Sequence, residues 1–193
     1  MKLIGTAPSR LGLFGGGTDV NPFASEECGR IINIAINIRN AAWIQPEASS
    51  LPGYPLAEAV SKFFQIPPGT VLISDYMGTM GSGLGSSGSA ALLLTAMAAK
   101  FIGEDLPDRE LLETAWKIET ETLGKTGIQD HVAALYGGGS YITIYGLDSF
   151  SVKRREIYPG TVRKLRPYLL LFYLGGQRDS HEMQKTLQDR KAL

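Results

Sequence analysis

The stretch Met80-Gly-Ser-Gly-Leu-Gly-Ser-Ser-Gly-Ser-Ala90 decides the fold. It follows a predicted strand at 71–74 and opens the run Ser86 to Phe101, which is apolar nearly all round and predicts a helix through the core. Glycines let backbone N–H groups approach an anion closely, and a helix N-terminus adds about half a positive charge. We therefore predict a phosphate-binding loop here. Its predicted cofactor contacts are Gly81, Gly83, Leu84, Gly85, Ser86, Ser87 and Gly88, and Ser89 offers a further hydroxyl for phosphate or Mg²⁺.

Two other interpretations of the loop are weaker. A dense glycine cluster with a serine cap also forms purely structural turns. Gly83-Leu-Gly-Ser-Ser-Gly88 satisfies G-x-G-x-x-G, and Glu104 or Asp105 lies near the spacing of a ribose-binding acid in a dinucleotide fold. Those acids, however, fall beyond the end of the long helix instead of on a second strand. No Gly-Lys-Ser/Thr follows the loop, so the Walker pattern is missing.

Composition excludes several classes of function. The 193 residues are 44% hydrophobic, which suffices for one or two domains, and the 19 basic residues balance 19 acidic ones. We therefore expect no nucleic-acid partner and no membrane association. The single cysteine, Cys28, excludes an internal disulfide framework and suits a cytoplasmic location, while two histidines leave little for a His-based metal cluster.

The rest of the chain mixes strands and helices without a regular βαβ rhythm, which predicts an α+β fold. Ile31 to Ile38 alternates with period two and predicts a half-buried strand. Further strands are predicted at Leu11–Phe14, 71–74, Ser140–Tyr145, Val152–Ile157 and Tyr168–Leu174, with a hairpin around 146–149. Besides 86–101, helices are predicted at Leu56–Phe64, from Pro107 to about Leu123, and, with exposed polar faces, at 179–190.

A glutamate lies on the apolar face of the third predicted helix. At about 100° per residue, Leu112, Ala115 and Ile118 share one arc, and Glu119 lies near its middle. An ionised carboxylate on a buried face is costly unless a cation or a donor meets it. Two explanations stay open: a salt bridge to an arginine or lysine, or a Mg²⁺ ion shared with a serine of the glycine loop.

Three separated blocks resemble the GHMP kinases, the family of galactokinase, homoserine kinase, mevalonate kinase and phosphomevalonate kinase. The first block is Ala7-Pro-Ser-Arg-Leu-Gly-Leu-Phe-Gly-Gly-Gly-Thr-Asp19, and the second is Gly83-Leu-Gly-Ser-Ser87. The third is Gly127-Ile-Gln-Asp130 with the Gly137-Gly-Gly139 turn. Within the family, Gly15-Gly-Gly-Thr-Asp19 is similar to the heptose 7-phosphate kinase branch, with fucokinase-like proteins nearby, although Val20 to Phe23 departs from the double proline of that branch.

The resemblance implies an ATP- and Mg²⁺-dependent kinase acting on a sugar phosphate. It implies that Asp130 orients or deprotonates the acceptor hydroxyl and that Arg10 lies near the transferred phosphoryl group. Asp19, with Gly16, Gly17 and Thr18, would bind the sugar. Ser87, or Ser86 as the close alternative, would hold Mg²⁺ with Glu119. Alternatives to these roles are an ordinary loop aspartate at Asp130 and a surface cation at Arg10. His131 is expected to be a structural neighbour of Asp130, and Lys100, Lys125 and Arg178 are further basic side chains that could meet a substrate phosphate.

The resemblance also predicts a domain division. Residues 1–160 would form the GHMP kinase N-terminal domain, of the ribosomal protein S5 domain 2-like fold. Residues 161–193 would begin a ferredoxin-like C-terminal domain, which the chain as given would leave incomplete. A cut-off sheet and an exposed polar helix suit a homodimer as well as they suit a missing domain. A non-catalytic nucleotide- or sugar-binding relative, and acceptors such as fucose, galactose or mevalonate, remain alternatives.

Overall fold

The computed structural model describes residues 3–45, 54–66, 71–75, 82–124, 127–146, 149–170 and 172. Within these ranges the fold is an antiparallel sheet with helices packed on it, as the α+β prediction requires. No helix in the described part of the chain has both the length and the apolar character needed to cross a bilayer.

Within the described ranges, five antiparallel strands form the sheet. They are β1 (Leu3–Phe14), β2 (Gly29–Gln45), β3 (Val71–Asp75), β4 (Gly139–Gly146) and β5 (Ser149–Arg155). The order is β1-β2-β4-β5, and β3 pairs with the far end of β2. The long β2 strand is therefore the frame of the sheet, because three strands pair with it: β1 along most of its length, β4 over residues 29–34 and β3 over residues 41–45.

The core lies between this sheet and the helices. These are α1 (Phe23–Glu26), α2 (Pro55–Phe63), α3 (Ser86–Ile102), α4 (Asp108–Leu123), α5 (Gln129–Tyr136) and α6 (Pro159–Leu165), followed by a 3-10 helix (Arg166–Tyr168). The prediction that α3 runs through the core is confirmed, since most of its residues from Ser86 to Ala99 are buried. A side chain at Gly5 of β1 would come within 2.8 Å of Leu93 on α3, so glycine lets the helix lie close to the sheet.

Two buried asparagines of β2 join the sheet to the helix starts. Asn40 Nδ2 donates to the carbonyl of Ser86 at 3.0 Å, and Asn33 Nδ2 donates to the carbonyl of Gln129 at 2.9 Å. Both asparagines are fully buried. These bonds fix the N-termini of α3 and α5 over the same strand. The predicted strand is confirmed, but its faces differ from the apolar alternation, because Asn33 is fully buried while Ile32 is 37% exposed.

Several element predictions need correction. β1 and β2 are much longer than the predicted strands, and α1, α5 and α6 are absent from the prediction. The predicted strand Tyr168–Leu174 is wrong over its described residues: Tyr168 ends the 3-10 helix, and residues 169, 170 and 172 belong to no strand. The predicted helix at 179–190 and the middle of the hairpin, 147–148, lie outside the described residues.

Candidate active site

The glycine loop leads directly into the N-terminus of α3. Gly83 and Gly85 have φ angles of 81° and 73°, in the left-handed region that glycine adopts without strain. The backbone N–H of Arg10 in β1 donates to the carbonyl of Leu84 at 2.9 Å, which ties the loop to the sheet. The end of the loop is therefore held in place from one side by β1 and from the other by α3.

Arg10 and Asp130 form an ion pair beside the loop. Arg10 Nε lies 2.6 Å from Asp130 Oδ1, and Arg10 Nη1 donates to the carbonyl of Gly83 at 2.6 Å. Both side chains are partly exposed, at 15% and 19% of their surface. A single arginine thus links β1, the glycine loop and the first turn of α5, and it remains accessible from the outside.

Close packing at two glycines brings Asp130 against the loop. A Cβ atom at Gly85 would lie 2.7 Å from Asp130 Cγ, and one at Gly88 would lie 2.6 Å from Asp130 Cβ. Neither distance is tolerable for a real side chain, so only glycine allows the N-termini of α3 and α5 to meet here. Both helix N-termini present backbone N–H groups and partial positive charge to the same region, which suits an anionic ligand.

The buried glutamate of α4 faces the same helix start. Glu119 is 1% exposed, as the periodicity of the third helix predicts. Ser87 Oγ donates to Glu119 Oε1 at 2.6 Å, and His131 Nε2 lies 3.0 Å from Glu119 Oε2. Ser86, in contrast, is buried, and its carbonyl accepts from Asn40. Ser87 is therefore the loop serine that the structure places against Glu119.

Asp19 is a buried carboxylate beside the start of α5. Its Oδ2 accepts from the backbone N–H of Gln129 at 3.1 Å, and its Oδ1 from Gln129 Nε2 at 3.3 Å. A Cβ at Gly127 would lie 2.0 Å from Asp19 Oδ2, so this position also requires glycine. Burial, partly offset by the Gln129 backbone hydrogen bond, raises the pKa of Asp19 from 3.8 to about 6, and the charge of Asp130 adds to the rise.

The structure brings most of the predicted site residues together. Arg10, Asp19, Ser87, Glu119 and Asp130 come from four elements and one turn and are linked by the contacts above. The contacts of Gln129 with Asp19 and of His131 with Glu119 were not predicted, although His131 was expected beside Asp130. The sequence marks Gln129 only by its place next to Asp130. The contact of His131 with Glu119 joins two different helices, so no local pattern indicates it.

The remaining predicted contacts have mixed outcomes. Thr18 lies in the turn before Asp19, where its hydroxyl donates to the carbonyl of Gly15 at 2.8 Å, and Gly16 and Gly17 belong to the same turn. Gly81 lies outside the described residues, as do Lys125 and Arg178. Ser89 is fully buried in the first turn of α3, and its role as a ligand stays a prediction. The expectation for Lys100 is wrong, because this residue lies near the opposite end of α3, about 20 Å from the loop at 1.5 Å per residue.

The donor set fits one hard metal ion that also takes ligands from a nucleotide. Ser87 and Glu119 offer a hydroxyl and a carboxylate, both hard oxygen donors. Among the described residues, no group of three or more His, Cys, Asp or Glu side chains could hold a metal ion by itself. Magnesium prefers such incomplete protein shells, because it keeps waters and binds substrate phosphates.

Comparison with known proteins identifies the class of this fold and site. Residues 56–138, which include α2, α3, α4, α5 and the glycine loop, match the family model of the GHMP kinases N terminal domain. This stretch is therefore similar to the GHMP kinase N-terminal domain, and the α+β part of the fold prediction is confirmed.

Comparison with individual proteins shows which kinases this chain resembles. The chain is 26% identical to the D-glycero-alpha-D-manno-heptose 7-phosphate kinase of Campylobacter jejuni, in an alignment that covers 100% of this chain and 67% of that protein. It superposes on the crystal structure of a D-glycero-D-manno-heptose 1-phosphate kinase from Bacteriodes thetaiotaomicron with a TM-score of 0.74 and 25% identity, over 86% of this chain. It also shares the fold of the Methanococcus jannaschii mevalonate kinase, with a TM-score of 0.58 and 20% identity over 82% of this chain and 56% of that one. The chain spans 63% of the heptose 1-phosphate kinase structure.

Proposed function

We propose that this chain supplies the ATP- and sugar-binding part of a cytoplasmic sugar kinase, which transfers the γ-phosphoryl group of ATP to the anomeric hydroxyl of heptose 7-phosphate. One observation carries the proposal. Side chains from β1, the start of α3, α4 and the start of α5 converge around the glycine loop in two linked pairs, Arg10 with Asp130 and Ser87 with Glu119. A loop that only turned the chain would need neither pair.

Asp130 is proposed to act on the acceptor hydroxyl. Arg10 contacts its Oδ1, and Oδ2 has no hydrogen-bond partner among the described residues. That oxygen can accept the hydrogen of a sugar hydroxyl, either to orient it or to take its proton. The positive charge of Arg10 lies beside Asp130 and the glycine loop, where negative charge builds up during phosphoryl transfer.

Ser87 and Glu119 are proposed to hold Mg²⁺ with the phosphates of ATP. When bound, the ion neutralises phosphate charge and fixes the reacting group in line with the acceptor. The protein's own contribution is positioning: the helix N-termini bind the phosphates through N–H groups, and Asp19 in its buried turn accepts hydrogen bonds from the sugar.

The acceptor is proposed from the relatives. Two of them are named as kinases of a manno-heptose phosphate, although their names differ in the position of the phosphate. The Gly15-Gly-Gly-Thr-Asp19 turn is the part of this chain that resembles the heptose branch, and the structure connects it to α5 through Asp19 and Gln129.

A substrate panel tests the function. ATP consumption should be measured with heptose 7-phosphate, fucose, galactose and mevalonate, and heptose 7-phosphate should give the highest kcat/KM. Another acceptor giving the highest value would replace the proposed substrate. Tight ATP binding without turnover on any of the four would favour a non-catalytic binding protein instead.

Substitution of Asp130 tests its role. Asp130→Asn should lower kcat by about 10²- to 10⁴-fold while ATP still binds, because a positioned acid or base contributes in that range. Asp108→Asn is the matched control, since Asp108 also lies in the first turn of a helix but is exposed. Equal turnover in the two variants would remove Asp130 from catalysis.

A further inference from the structure

His131 is a buried polar residue that the proposed chemistry leaves unused. It follows Asp130 in α5, has 0% exposure, and places Nε2 3.0 Å from Glu119 Oε2. A Cβ at Gly88 would lie 3.2 Å from Cε1 and 3.3 Å from Nδ1 of the ring, so the backbone of α3 lies against it. The imidazole therefore lies between α3 and α4, with Nε2 beside Glu119.

The two oxygens of Glu119 consequently have different neighbours. Oε1 accepts from Ser87 at the start of α3, and Oε2 faces His131. Nε2 of His131 is within ion-pair distance of Oε2 without the alignment of a hydrogen bond, so the ring borders the oxygen on the far side of the Ser87 contact. Only Oε1 is directed to the loop serine, and hence to the place where a metal ion would meet both groups.

We infer that His131 is a positioning residue that keeps Glu119 in a one-oxygen orientation and so makes the site select Mg²⁺ over Ca²⁺. The inference rests on the proposed function, because it concerns the same metal site. Mg²⁺ requires near-octahedral geometry and single oxygens from each ligand, whereas Ca²⁺ accepts bidentate carboxylates and more ligands at longer distances. A glutamate released from His131 can turn both oxygens toward the ion, which favours Ca²⁺.

Three substitutions separate this role from packing. His131→Gln keeps an amide that reaches about as far as Nε2, whereas His131→Asn is equally polar but too short to reach Oε2. His131→Leu fills the space without a polar atom. Val132→Ala is the matched control, because Val132 is a fully buried neighbour in the same helix and its truncation weakens packing without touching Glu119 directly.

Metal binding is the readout, independent of turnover. The full chain is saturated with the non-hydrolysable ATP analogue AMP-PNP, Mn²⁺ is titrated with detection by electron paramagnetic resonance, and bound Mn²⁺ is displaced with Mg²⁺ or Ca²⁺. We expect the Asn and Leu variants to bind Mg²⁺ about 10- to 100-fold more weakly, the range for loss of a group that orients a metal ligand. Their preference for Mg²⁺ over Ca²⁺ should fall by about tenfold or more. His131→Gln and Val132→Ala should remain within about threefold of the unmodified chain.

The outcomes distinguish the inference from the function. If the unmodified chain binds Mn²⁺ with AMP-PNP but the Gln and Asn variants are indistinguishable from it, His131 has no positioning role and the proposed kinase function stands. If the unmodified chain gives no Mn²⁺ binding beyond that of AMP-PNP alone, both fail. The difference in Mg²⁺ binding between His131→Gln and His131→Asn tests the positioning role of His131 even where His131→Leu does not fold.

Discussion

At the residue scale, Asp19 carries a charge that its surroundings disfavour. Its pKa is 3.8 in an unperturbed chain and about 6 in the fold. Between these values the native state binds more protons than the unfolded chain, so the free energy of unfolding contributed by Asp19 falls as the pH rises from about 4 to about 6. Above pH 6 the buried charge of Asp19 lowers the free energy of unfolding. Only a bound ligand that donates hydrogen bonds to Asp19 would offset this loss.

Asp19→Asn should therefore raise the free energy of unfolding at pH 7 by about 1–3 kcal/mol, since one pKa unit corresponds to about 1.4 kcal/mol. It should also flatten the dependence on pH between about 4 and 6, while sugar binding weakens. Urea unfolding across this pH range measures both effects. Asp105→Asn, at an exposed acid, is the control. If the free energy of unfolding of Asp19→Asn depends on pH as that of the unmodified chain does, Asp19 is not the group that causes this dependence.

Glu119 allows a second test at this scale. Glu119→Gln keeps the shape of the side chain and an oxygen for Ser87 but removes the charge, so we expect the Mg²⁺ concentration needed for half-maximal ATP consumption to rise by about tenfold or more. Glu121→Gln, on the exposed side of the same helix, should leave it unchanged. A variant that is merely less stable, with the same metal titration, would make the Ser87–Glu119 pair structural.

The sequence predicts single residues better than it predicts their partners. Glu119 is placed on the buried face by periodicity alone, and the structure agrees. The Arg10–Asp130 pair joins positions 120 apart, and the Asp19–Gln129 bond joins positions 110 apart. A repeating pattern describes only the element in which it occurs, so it contains no information on which distant side chain will face it.

At the element scale, the meeting of α3 and α5 depends on Gly88. Alanine normally stabilises a helix by up to about 1 kcal/mol relative to glycine. At Gly88 the added methyl would overlap Asp130 and press on His131. We expect Gly88→Ala to lower stability by about 1–3 kcal/mol, the usual range for overpacking, and to lower turnover because Asp130 shifts.

Gly160→Ala provides the matched control for that substitution. Gly160 is also helical, in α6, and nothing lies within 4 Å of its added Cβ. The midpoint temperature of thermal unfolding should fall for Gly88→Ala, and it should rise or change little for Gly160→Ala. Equal stability of both would show that α3 and α5 can separate without cost, contrary to the close approach at Gly88.

Element length explains which elements could be predicted. Helix α3, whose 17 residues are apolar or small apart from Lys100, follows a glycine loop and carries a strong signal, and its predicted bounds differ from the structure by one residue. Helix α5 has eight residues and follows a motif that looks like a loop. The strand β2 extends beyond Ile38, where Arg39 and Asn40 interrupt the alternation, because β1 pairs with these two residues and β3 pairs with residues 41–45. Such support comes from other strands and is not visible locally.

At the scale of the whole molecule, the site lies on one folded unit. The sheet, α3, α4 and α5 share one hydrophobic core, and β5 contributes Phe150 to it. In contrast, neither α6 nor the 3-10 helix contains a buried residue. This contrast fits the predicted domain boundary near residue 160.

Limited proteolysis tests this division. Arg163, Lys164 and Arg166 lie in the segment that buries no side chain, whereas Arg154 and Arg155 pair in the sheet through β5. Cleavage requires local opening, which is easiest where few buried contacts must break. Among the described residues, we therefore expect trypsin to cut first at 163–166 and to leave a resistant N-terminal fragment, identifiable by mass spectrometry. First cleavage at Arg154 or Arg155 would place the end of the domain before β5, and would separate the candidate site from the strand that closes its sheet.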